Sequence, residues 1–306
     1  MAKKPPARKS PAKATTGRPA GLFTWIAVGL VVVVVAALVI IKVVSGSPTT
    51  SQNSSFQATD PATVAQLTTI PSTVFDTVGV NSPVAQVTPP IVLKNQPALT
   101  GSSSTGAKVP EVFYLGAEYC PFCAAQRWPT IIALSRFGTW SGLGNTTSSS
   151  IDYAANTPTF TFYKAKYSSK YLAFSSIEET TNVYDSATGN YTKLQTPSKA
   201  QQTIFSKYDT PKYVPGMTAA DAGAIPFITL GNKFLVSGAS YGPLTLSGLT
   251  RSSIAAGLND TTSPVTDAII TSANYLTASL CTLTNQQPGS VCTSSGVMAA
   301  KKAMKL

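Results

Sequence analysis

The pattern of apolar and polar positions divides the chain into blocks. Leu22 to Ile41 are 20 consecutive uncharged residues, including the valine run Val31 to Val35. A bilayer core of about 30 Å takes roughly 20 apolar residues in a helix, so a transmembrane helix is predicted over 22–44. Lys42 ends the run and can reach the interface with its ammonium. Residues 45–60 (SGSPTTSQNSSFQATD) have no apolar period and predict a flexible linker. Residues 61–110 are moderately apolar and punctuated by Pro71, Pro83, Pro89, Pro90 and Pro97. They predict a lead-in segment packed on the main domain, with GSSSTGAK (101–108) as a loop.

From 111 the periods sharpen. EVFYLG (111–116) is a short apolar run that predicts a buried strand. Residues 120–138 predict a helix: Ala124, Ala125 and Gln126 favour it, Ile131, Ile132 and Leu134 give it an apolar side, and Gly138 stops it. Pro129 predicts a kink. TFTFYKA (159–165) alternates like a strand, and a short helix is predicted near 198–208. IPFITL (225–230) and KFLVSGA (233–239) flank Gly231-Asn232 and predict a β-hairpin. Two helices follow, over 249–258 and 263–281. A strand–helix pair at the start and a hairpin–helix pair at the end predict an α/β sandwich over 111–297. Residues 298–306, with Lys301, Lys302 and Lys305, predict a solvated basic tail.

Charge then orients the chain. There are 23 Lys+Arg against 12 Asp+Glu. Lys3, Lys4, Arg8, Lys9, Lys13 and Arg18 crowd the first 20 residues without an acid, whereas the stretch 47–300 is nearly neutral. A nucleic-acid binder concentrates its charge on the folded part, so nucleic acid is not an expected partner. Cations before an apolar span place the N-terminus in the cytoplasm and the rest outside. The expectation is a single-pass cell-membrane protein, with residues 1–21 a disordered cytoplasmic tail and 22–44 an uncleaved anchor in the lipid bilayer. A cleaved signal peptide would have a shorter basic segment and a small-x-small site. Only 11% of residues are charged, against roughly 25% in soluble domains. Asn53, Asn145, Asn190 and Asn259 stand in N-x-S/T sequons and mark surface.

Histidine is absent, which excludes Ser-His-Asp and Cys-His hydrolases, HExxH zinc sites and imidazole switches. The chemistry left is sulfur. Cys120-Pro121-Phe122-Cys123 places one thiol just before a predicted helix and the second within its first turn. The unpaired N–H groups and partial positive charge there stabilise a thiolate at Cys120. Pro121 suits the first helical position. Three chemistries fit this spacing: a redox site with Cys120 as nucleophile and Cys123 as resolving thiol, a structural disulfide, or half of a zinc site. Zinc usually takes two close pairs, and the other cysteines, Cys281 and Cys292, have ten residues between them. No metal or organic cofactor is expected. Cys281 and Cys292 bracket a turn at Pro288-Gly289 and predict a structural disulfide, the alternative being a second redox pair. Tyr119 and Trp128 flank the site as rim or as core.

Together, strand 111–116, AEYCPFC (117–123), the Pro129-bearing helix, Ile225-Pro226 before a strand and the hairpin ending in SGAS resemble the thioredoxin superfamily. The whole exported chain is similar, more narrowly, to an uncharacterised prokaryotic family of membrane-anchored thioredoxin-like proteins of archaea and actinobacteria. That likeness lies in GAEYCPFCAAQRWPTIIALSRFG, TPTFTF, IPFITLGNKFLVSGASY and ANYLTASLC…VC. The resemblance implies that Pro226 is a cis-proline set against the CxxC and that Ile225 offers its backbone to an incoming peptide strand. Two departures stand out. Residues 124–225 are far more than a minimal thioredoxin fold holds there, so a large insertion is expected. Tyr114 stands where thioredoxin-like reductants tend to carry a buried carboxylate, with Glu118 as a nearby substitute, and Phe122 brings no cation.

The expected function is a membrane-tethered thiol–disulfide oxidoreductase. Its partners would be exported thiol or disulfide proteins and a membrane redox partner for recycling. The alternative is a non-catalytic thioredoxin-like binding or scaffold domain with CPFC as a permanent staple.

Overall fold

The computed structural model describes residues 56–80 and 86–306. The predicted tail 1–21, the predicted membrane helix 22–44 and linker residues 45–55 lie outside them. No helix of the described residues is long and apolar enough to cross a membrane. The described residues form a mixed α/β fold.

Strand β1 (Gln57–Ala58) leads into helices α1 (Pro61–Thr68) and α2 (Ser72–Val78). The Asp60 carboxylate caps α1 by accepting from the Thr63 N–H at 2.8 Å. Strands β2 (Ile91–Val92), β3 (Thr100–Ser102) and β4 (Lys108–Gly116) precede α3 (Pro121–Ser135). Then come β5 (Thr139–Ser141), β6 (Gly144–Thr147), β7 (Pro158–Thr161), β8 (Lys166–Ser168), β9 (Ala173–Glu178), β10 (Thr180–Asp185), β11 (Asn190–Lys193) and α4 (Lys199–Tyr208). The last third holds β12 (Phe227–Leu230), β13 (Phe234–Ser237), α5 (Arg251–Gly257), α6 (Pro264–Leu283), the single turn α7 (Gly289–Cys292) and α8 (Ser295–Met304).

The central strand is β4. It pairs in parallel with β9 on one side and antiparallel with β12 on the other, and β13 and β2 continue the sheet outward. Four successive apolar residues, Val112 to Leu115, suit a strand covered on both faces. Alternation sends them opposite ways. Val112 and Tyr114 pack with Ile131 and Ile132 of α3 and Ile269 and Leu276 of α6. Phe113 and Leu115 pack with Phe205 and Tyr208 of α4. Helices therefore cover both faces of the sheet, and α3 leaves the end of the central strand.

The predicted hairpin is β12–β13, joined through Gly231, Asn232 and Lys233. Gly231 and Asn232 both have left-handed φ, near +60° and +54°, which glycine and asparagine tolerate best. Elsewhere the structure moves the predicted limits. Helix α3 runs through Pro129 and ends at Ser135, three residues before Gly138. Of the predicted strand 159–165 only Thr159–Thr161 pairs, within β7 against β6. The lead-in segment is more than packing, because β3 pairs with Lys108–Pro110 and β2 with β13, so the main sheet begins before residue 111. The stretch 124–225 carries β5 to β11 and α4, and β9 within it belongs to the main sheet.

The basic tail is a correction. Residues 298–304 are the later turns of α8, not a solvated extension. Val297 and Ala300 are fully buried and Met304 packs beside them, which gives one apolar stripe at helical spacing. Lys301 and Lys302 sit in the last turn, where cations complement the helix dipole.

Candidate functional site

Helix α3 begins on the first sulfur. Cys120 is its N-cap, with extended backbone, and Pro121 is the first helical residue. The Cys120 Sγ accepts the Cys123 backbone N–H at 3.4 Å. It also lies 3.6 Å from the Ile225 carbonyl oxygen, to which its thiol donates. Ile225–Pro226 is a cis peptide. The structure thus brings together four residues singled out in the sequence, Cys120, Cys123, Ile225 and Pro226, from two segments at one end of the sheet, after β4 and before β12.

The two thiols are free but not equivalent. Cys120 is 5% exposed and Cys123 is fully buried. Hydrogen bonding with Cys123, first from its side chain and then from its backbone N–H, holds the Cys120 thiol below the ordinary thiol range despite burial, and the Arg127 charge adds to this. Burial pushes the Cys123 thiol well up, reinforced by hydrogen bonding to Cys120 and by its negative charge, with Arg127 opposing. The pair is therefore divided into a slightly exposed thiol that ionises readily and a sealed one that keeps its proton.

Arg127, four residues after Cys123 on α3, went unread in the sequence. Its guanidinium is fully buried and binds Glu178 of β9 in a fork, Nε to Oε1 at 2.9 Å and Nη2 to Oε2 at 2.6 Å. Nη2 also donates to the Ala117 carbonyl at 2.7 Å. The i, i+4 spacing that puts Arg127 on the Cys123 side of the helix was available from the sequence. The partnership with Glu178 was not, since it spans 51 residues. Phe122 brings no cation, yet the site has one.

Other expected neighbours separate. Trp128 is core: it is fully buried and its indole N–H donates to the Pro158 carbonyl at 3.0 Å. Tyr119 is half-buried and stacks on Tyr191 of β11 with ring centres 4.1 Å apart. Phe122 is exposed and leans on the exposed Tyr153 at 5.8 Å. Tyr153 and Tyr191 come from the long segment between α3 and β12, and no local signal tied them to the cysteines. Glu118 is engaged by threonines. Its side chain hydrogen-bonds with Thr161 and Thr146, and burial raises its carboxyl.

At the far end of the molecule Cys281 and Cys292 form a disulfide, with Cα atoms 5.6 Å apart. Among the described residues no cluster of three or more Cys, Asp or Glu side chains is arranged to hold a metal ion. The geometry can perform sulfur exchange: an ionisable thiol at a helix tip, a second thiol one turn in, and a carbonyl beside the first.

No curated protein and no solved structure matches this sequence. One family model, described as Domain of unknown function (DUF929), matches residues 101–282. That stretch runs from β3 through the CPFC helix and the hairpin to the end of α6, more than half of the chain, and the protein belongs to the DUF929 family.

Proposed function

We propose that this protein is a membrane-tethered thiol–disulfide oxidoreductase with a thioredoxin-like core, acting on exported proteins. The observation that carries the reading is the division of the CPFC pair, with Cys120 capping α3 and Cys123 sealed beneath it. Several features support the thioredoxin-like assignment. The strand order β9-β4-β12-β13 contains one parallel and two antiparallel pairings, α3 starts at the end of β4, and Ile225–Pro226 lies against the first thiol.

The Cys120 thiolate attacks a substrate disulfide, forming a mixed disulfide and releasing one substrate sulfur as thiolate. Cys123 then loses its proton and displaces the second substrate sulfur from Cys120, closing the CPFC disulfide. Two electrons pass from the dithiol to the substrate. The reverse sequence oxidises a substrate dithiol. A membrane redox partner resets the pair. The tether is the apolar stretch 22–44, with the basic N-terminus in the cytoplasm.

The test is turnover of a disulfide-containing peptide with a dithiol as electron source. Wild type should turn over and Cys120→Ser should not. Equal rates would overturn the reading. A redox titration adds a second criterion. A CPFC potential within the span from about −270 to −120 mV belongs to an exchanger, and one below about −300 mV belongs to a permanent staple.

A further inference from the structure

The resolving step needs a buried thiol to ionise, and the structure places two uncommitted donors beside it. Tyr114 on β4 is fully buried and Arg127 is fully buried on α3. Among the described residues neither the Tyr114 hydroxyl nor Nη1 of Arg127 has a hydrogen-bond partner. Such groups are uncommon in a folded interior and ask for an explanation. The other nitrogens of Arg127 are spent on Glu178 and Ala117, and Glu178 is itself occupied by Arg127 and the Phe162 N–H.

Gly116 shows how close these groups are. A Cβ built there would press on the Tyr114 hydroxyl and lie 3.0 Å from the Cys123 Sγ. The phenol and the sulfur thus share the space that a missing side chain leaves open. The guanidinium carbon of Arg127 lies 5.8 Å from the centre of the Tyr114 ring. The charged and titratable groups around Cys123 include Cys120 at the helix tip, Arg127 on the same helix, Tyr114 on β4, Tyr119 between β4 and α3, and Glu178 on β9, with Glu118 turned toward Thr146 and Thr161.

We propose that the Tyr114 hydroxyl and Nη1 of Arg127 are the groups that stabilise the Cys123 thiolate during the resolving step. This inference rests on the oxidoreductase reading. In the mixed disulfide, Cys123 gives its proton to solvent and its sulfur gains a charge. Tyr114 turns its O–H toward that sulfur, and Arg127 supplies the counter-charge that its ion pair with Glu178 leaves partly available. The Cys123–Cys120 bond forms, the bond from Cys120 to the substrate sulfur breaks, and the departing thiolate takes up a proton from solvent. Tyrosine thus stabilises the thiolate by donation and leaves the proton itself to solvent.

Reduced full-length protein mixed with excess dithiobis(nitrobenzoate) reads the two steps separately. The first nitrothiobenzoate is released as Cys120 is captured, at a rate that scales with reagent. The second is released when Cys123 displaces it, at a rate independent of reagent. Tyr114→Phe keeps the ring and removes only the hydroxyl; Arg127→Lys keeps the charge and removes Nη1. Both should leave the first phase close to wild type, slow the second by about tenfold at neutral pH, and move its pH midpoint up by about one unit. A second phase with wild-type rate and midpoint in both variants would overturn the inference while leaving the oxidoreductase reading intact. A wild-type protein with no first phase would overturn that reading, and this inference with it.

Discussion

The two cysteine pairs stand at opposite ends of helices. Cys120 caps the N-terminus of α3, where unpaired N–H groups and the positive end of the dipole favour a thiolate. Cys281 lies two residues before the C-terminal end of α6, where the partial charge is negative and a thiolate gains nothing. The first pair is free and unequal, one thiol 5% exposed and the other sealed, and the second is closed and wholly buried. Cysteine content alone tells little. The end of the helix on which the sulfur sits, and the charges packed beneath it, separate a reactive site from a staple.

The largest contrast expected between the pairs is in exchange itself. Cys120→Ser should lower disulfide turnover by about two orders of magnitude or more, whereas the double change Cys281→Ser with Cys292→Ser should leave the rate per folded molecule unchanged. Loss of turnover on breaking the second pair would erase the distinction. Next comes the buried charge below the first pair. Glu178→Gln leaves the Arg127 guanidinium without its counter-ion and should cost about 3–5 kcal/mol in urea unfolding. The second pair should cost about 3 kcal/mol when removed, because it closes a loop with a sequence separation of 11. The smallest effect is the sharpest. Because the Cys120 thiol is held low and the Cys123 thiol is pushed high, iodoacetamide should modify Cys120 with a midpoint below the ordinary thiol range. Cys123 should stay unmodified at pH values where an ordinary thiol already reacts. The sign follows from ionisation: lowering extends the thiolate to more acidic pH, and raising withholds it.

Much of the scaffold was legible because it is written locally. The apolar run Val112–Leu115, the Gly231-Asn232 turn and the helix predicted over 263–281, observed as Pro264–Leu283, each carry their own period or breaker. The CPFC spacing placed the thiols and the helix tip together for the same reason. What escaped was long-range. Arg127 reads as one more residue of a helix until Glu178, on a strand 51 residues later, meets it. Tyr191 reaches Tyr119 only because β10 and β11 fold back beside the site. Residues 298–306 looked like a tail because three lysines dominate them, whereas the buried Val297 and Ala300 needed a surface to pack on before their stripe meant anything.

That surface ties the two termini of the described fold into a clasp. Asn274 donates to the Phe75 and Gly79 carbonyls, the Asp76 carboxylate accepts the Gly296 N–H, and a Cβ at Gly296 would run into the Phe75 carbonyl. A pull entering through the lead-in helices is shared with the closing helix before it reaches the sulfur-bearing one. Trimming the last dozen residues would remove the Gly296 side of that clasp and leave α2 held by Asn274 alone among these bonds, so an affinity handle belongs beyond Leu306 and not in place of it.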